Sequence, residues 1–132
     1  MKILILICMI FCHIVDDYYL KGWLASAKQK QWWEKNAPED LYKYDYIVAL
    51  FMYSFSWSFM MMIIPTIYYL LINGNIDYKY TLIIFLFGIN ILIHALIDNM
   101  KANKKSINLA TDQNIHILQI IWTWCILVVI NY

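Results

Sequence analysis

Four apolar runs, each close to 20 residues or longer, decide what this chain can fold into. They cover residues 3–20, 46–72, 78–100 and 111–131. A helix rises 1.5 Å per residue, so about 20 apolar residues cross the hydrocarbon core of a bilayer. Within that core every backbone N–H and C=O has to pair inside its own segment, which leaves helices as the form such runs take. The expected fold is all-α: one domain over residues 1–132, an integral membrane bundle of four transmembrane helices. The composition agrees, with 63% hydrophobic and 14% charged residues, against about 45–50% and 25% in soluble domains. The first run is read as a span rather than a cleaved leader, because it passes into His13, Asp16 and Asp17 without a small-residue cleavage pattern.

The connections carry the other signals. Residues 22–36 hold Trp23, Trp32 and Trp33 among lysines, which predicts an amphipathic segment lying at the membrane interface after the first helix. Pro38 followed by Glu39 and Asp40 predicts the first turn of the second helix. Pro65 predicts a kink within that helix, and Asn73-Gly74-Asn75 a turn after it. Eight of the ten lysines lie in segments 21–45 and 101–110, with only Lys2 and Lys79 at the other end. The positive-inside rule then puts both basic segments in the cytoplasm and both termini outside, as expected for the cytoplasmic (inner) membrane. No arginine is present, so bidentate phosphate reading is absent, and no nucleic-acid partner is expected. The three cysteines, Cys8, Cys12 and Cys125, lie in apolar runs and read as buried free thiols.

Chemistry concentrates in the histidines. There are three, all within apolar runs, and each has an aspartate four residues away: His13 with Asp17, His94 with Asp98, and Asp112 with His116. That spacing puts both side chains on one helix face. The order reverses from His-then-Asp to Asp-then-His in the last run, where the chain direction reverses, so all three pairs fall at one depth. Intramembrane ionisable groups are expensive and face one another, water or an ion. Imidazole with carboxylate is a ligand set for a divalent ion, Zn²⁺, Mn²⁺ or Fe²⁺. The expected ligands are His13, Asp17, His94, Asp98, Asp112 and His116. Asp16, three residues from His13, is the candidate general base. Asn90, Gln119 and Tyr53 are expected to support the site.

These stretches, His13-Ile14-Val15-Asp16-Asp17-Tyr18-Tyr19-Leu20, His94-Ala95-Leu96-Ile97-Asp98 and Asp112-Gln113-Asn114-Ile115-His116, resemble a family of small bacterial and phage membrane proteins catalogued as domain of unknown function 3307. The resemblance spans nearly the whole chain. The family pattern often carries a further histidine near position 53, where this chain has Tyr53. The motifs are also distantly similar to those of membrane-embedded metal-dependent hydrolases. The function expected is a metal-dependent hydrolase acting on a lipid or lipid-linked phosphate at the cytoplasmic face. The alternatives are a non-enzymatic membrane protein acting on a host membrane partner, and a proton or ion translocator.

Overall fold

The computed structural model describes residues 1–72 and 78–130. Its elements are helices joined by short links: α1 (Lys2–Val15), α2 (Gly22–Ala27), α3 (Lys30–Asn36), α4 (Asp45–Ile72), α5 (Lys79–Ala102) and α6 (Leu109–Trp124). α1 runs on into a π-helical turn, Asp16–Leu20, and α6 into another, Cys125–Ile130. Four stretches are long and apolar enough to cross a membrane: Lys2–Leu20, Asp40–Ile72, Lys79–Ala102 and Leu109–Ile130. The fold is therefore an all-α bundle with four candidate membrane spans. The expected turn at 73–75 lies outside the described residues.

The spans close a ring. α4 packs on α1 and α5, and α6 packs on α5 and α1. One half of the interior is apolar, built from Ile5, Met9, Met61, Leu86, Ile120, Leu127 and Val128. Trp124 Nε1 donates to the Lys2 carbonyl at 3.0 Å and ties the end of α6 to the start of α1. Large apolar residues such as Phe11, Val48, Phe59, Phe85, Leu92 and Leu118 point outward, as an apolar solvent allows. Pro65 lies inside α4 and is buried there. The other half of the interior is polar, and all three histidines are in it.

Two local details position that half. Gly22 takes φ +39°, a left-handed conformation that glycine adopts without steric penalty, and it turns the chain from the end of the first span into α2. Asn108 caps α6, its Oδ1 accepting from Thr111 N at 2.8 Å. Pro38 differs from expectation: it precedes a single 3₁₀ turn, Asp40–Tyr42, and α4 proper starts at Asp45. The expected interfacial segment is two short helices rather than one. Trp23, Trp32 and Trp33 meet edge to face with ring centroids 5.0–6.1 Å apart. Its lysines are not all at the surface, because Lys21 and Lys28 turn into the bundle and are buried.

Candidate metal centre

His94 on α5 and His116 on α6 are fully buried, and their rings stack with centroids 4.2 Å apart and planes 17° from parallel. Trp57 of α4 covers His94 at 4.3 Å and lies 5.5 Å from His116. Asp98, one turn after His94, sets Oδ1 3.6 Å from His116 Nε2 and Oδ2 3.9 Å from His94 Nδ1. Asp112, one turn before His116, sets Oδ1 3.4 Å from the same Nε2. One ligand atom from each of His94, Asp98 and His116 falls within 4.8 Å of the other two, a spacing that fits a single divalent ion.

Hydrogen bonding separates these residues from the rest of the predicted set. His94 Nδ1 contacts Ser54 Oγ at 3.3 Å. His94 Nε2 and His116 Nδ1 are buried without a hydrogen-bond partner among the described residues, while His116 Nε2 and Asp112 Oδ1 face each other at 3.4 Å. Buried polar atoms of native proteins are nearly always paired, so the unpartnered nitrogens, one on each of the two stacked imidazoles, are the candidate donor atoms of this cluster.

His13 is placed differently. Trp57 Nε1 donates to its Nδ1 at 2.6 Å, and its Nε2 lies 3.0 Å from Gln113 Oε1. An indole N–H only donates, so Nδ1 is the acceptor and Nε2 carries the proton given to Gln113. Both ring nitrogens are thereby engaged, and His13 stands beside the His94–Asp98–His116 trio, 6.0 Å from His116 between centroids. Asp17 stays with His13, at 3.6 Å from Nδ1, and accepts from Tyr53 Oη at 3.2 Å. Asp16 turns toward α4. Its Oδ1 accepts from Ser56 at 2.6 Å and its Oδ2 lies 2.6 Å from Lys21 Nζ. Each oxygen of the candidate base thus has one close polar neighbour.

Each of three buried carboxylates has a lysine that the sequence pattern does not reveal: Asp16 with Lys21, Asp98 with Lys28 and Asp112 with Lys101, each at 2.6 Å. Lys21 and Lys28 also lie 3.4 and 3.5 Å from the centroid of the Tyr53 ring, well within cation–π range. Burial pulls the Lys21 ammonium below the usual lysine range, and the neighbouring Asp16 carboxylate pulls the other way. Lys21 follows Asp17 by four residues and Lys101 follows Asp98 by three, spacings that share a helix face, yet their close partners in the fold are Asp16 and Asp112.

Asn90, Gln119 and Thr123 form a separate polar layer one to two turns deeper. Gln119 Nε2 donates to Asn90 Oδ1 at 2.8 Å and to its carbonyl at 2.9 Å, and Asn90 Nδ2 donates to Thr123 Oγ1 at 3.0 Å. These bonds link α5 to α6 below the histidines. Comparison of the chain with family models, curated proteins and solved structures finds no match in any of the three.

Proposed function

We propose that this chain is a membrane-embedded divalent-metal-binding protein, a metal-dependent hydrolase acting on a lipid or lipid-linked phosphate at the cytoplasmic face of the inner membrane. The carrying observation is the fully buried grouping of His94, Asp98 and His116, whose ligand atoms lie within 4.8 Å of one another, with unpartnered nitrogens on both imidazoles. Two imidazoles and one carboxylate are the protein ligands of zinc hydrolase sites that keep an open position. A divalent ion there, Zn²⁺, Mn²⁺ or Fe²⁺, supplies Lewis acidity. Asp112, one turn from His116 with its Oδ1 3.4 Å from His116 Nε2, is a second candidate base beside Asp16. Lys101, on the other Asp112 oxygen at 2.6 Å, holds that carboxylate ionised and oriented. The lysine asymmetry supports a cytoplasmic location for this end of the bundle.

A second reading has its own observation. Three carboxylates with three lysines at 2.6 Å make a charge-balanced cluster able to fix helix register with no ion, as in a non-enzymatic membrane protein. Translocation is less supported, since the interior beyond Thr123 is built of Met9, Met61, Leu86, Leu127 and Val128. Metal content and hydrolysis of a panel of phospholipids and polyprenyl phosphates, measured together in detergent, separate the readings. The hydrolase reading expects bound metal and turnover lost in His94→Ala. Bound metal with no turnover on any lipid overturns the hydrolase. Absence of metal after growth with each ion favours the ionic cluster.

A further inference from the structure

The Asp98 carboxylate is claimed twice. Its Oδ1 faces His116, in the trio spaced for an ion. Its Oδ2 accepts from Lys28 Nζ at 2.6 Å, with both side chains almost wholly buried. Lys28 lies 70 residues away in sequence, just after α2. Its ammonium reaches inward past the Tyr53 ring, 3.5 Å from the centroid. Its backbone is fixed from the other side, where Asn103 Nδ2 donates to the Lys28 carbonyl at 3.1 Å and Lys30 N donates to Asn103 Oδ1 at 2.7 Å. The backbone is anchored while the long side chain alone makes the contact with Asp98.

We infer that Lys28 is a built-in cationic plug: its ammonium and a divalent ion compete for Asp98, so that metal loading expels the Lys28 side chain from the centre. This rests on the metal-binding reading above. Two cations on one buried carboxylate repel each other strongly in a medium of low dielectric. A lysine stem is long enough to carry its ammonium out to the headgroup layer, and Lys28 sits at that end of the bundle. Lys21 is not displaced, because its partner is Asp16, outside the trio. By linkage, whatever strengthens the Lys28–Asp98 contact weakens metal binding by the same factor.

Amine-reactive footprinting read by mass spectrometry tests this on the full chain in detergent, with Zn²⁺ and Mn²⁺ as probes. Lys28 is expected to react slowly without metal and several-fold faster with it, while Lys21 stays protected in both states. Lys28→Met is expected to bind Zn²⁺ about 5–150-fold more tightly, the usual range of a coupling between two sites. Lys28→Arg keeps the competing charge and is expected to bind no more tightly than wild type. This second variant separates competition from a general loosening, and the labelling of the wild-type chain stands even where Lys28→Met folds poorly. Metal bound by wild type with unchanged Lys28 reactivity, or with Lys28→Met no tighter, overturns the plug and leaves the metal centre standing. Failure of wild type and Lys28→Met alike to bind either ion overturns both.

Discussion

His94 and His116 stack face to face at 4.2 Å while His13, 6.0 Å from His116, is turned to Trp57 and Gln113. Three histidines equivalent in the sequence pattern are thus unequal in the fold. His94→Ala and His116→Ala are each expected to weaken metal binding by more than the roughly 100-fold seen for losses around a ligand. His13→Ala is expected to weaken it by only about 10-fold, as a neighbour of the site. Calorimetric titration with Zn²⁺ checks the order. Equal losses for all three would return His13 to the ligand set.

Lys21 and Asp16 form a deeply enclosed ion pair, with side chains 1% and 0% exposed. Removing one partner of such a pair leaves an uncompensated charge and is typically destabilising by about 3–5 kcal/mol, whereas replacing both by apolar residues of similar volume is often nearly neutral. Lys21→Met should therefore lower the unfolding free energy in detergent by about that amount, and Lys21→Met with Asp16→Leu should recover most of it. A double variant no better than the single one would mean that Asp16 is held chiefly by Ser56.

Gln119 bridges α6 to α5 through two bonds to Asn90. Interhelical hydrogen bonds within membranes are worth about 1 kcal/mol, so Gln119→Leu should destabilise by roughly that much and leave metal content unchanged. Chemical denaturation together with elemental analysis checks both halves. Loss of metal would place Gln119 in the centre itself.

Much of this fold is legible in the sequence because lipid accepts few solutions. Apolar runs long enough to span must be helices, and the spacing of four in His94–Asp98 and Asp112–His116 survives folding because a helix puts those residues on one face. The lysine partners were hidden for the opposite reason. Lys21 and Lys28 lie in a stretch whose tryptophans and charges read as interface, and only the left-handed turn at Gly22 and the corner after α2 aim them inward. Asp17 stays near His13 while Asp16 points toward Ser56, the divergence that 100° per residue gives two consecutive helical positions.

Metal affinity should depend on pH in one direction. Imidazole binds a metal only when deprotonated, and free imidazole titrates near pH 6.5. Acidification through that region is expected to release the ion, and occupancy should be restored on return to neutral pH. Equilibrium dialysis at a series of pH values checks this. Occupancy that rises on acidification would point to a site without imidazole.

X-ray absorption at the metal edge of the purified protein tests the centre most directly. With zinc bound, the expected spectrum has nitrogen and oxygen scatterers near 2.0–2.1 Å, imidazole features from two histidines, and loss of these features in His94→Ala. A sulfur shell near 2.3 Å, drawn from Cys8 and Cys12, or no bound zinc, manganese or iron at all, would contradict a centre built on His94, Asp98 and His116.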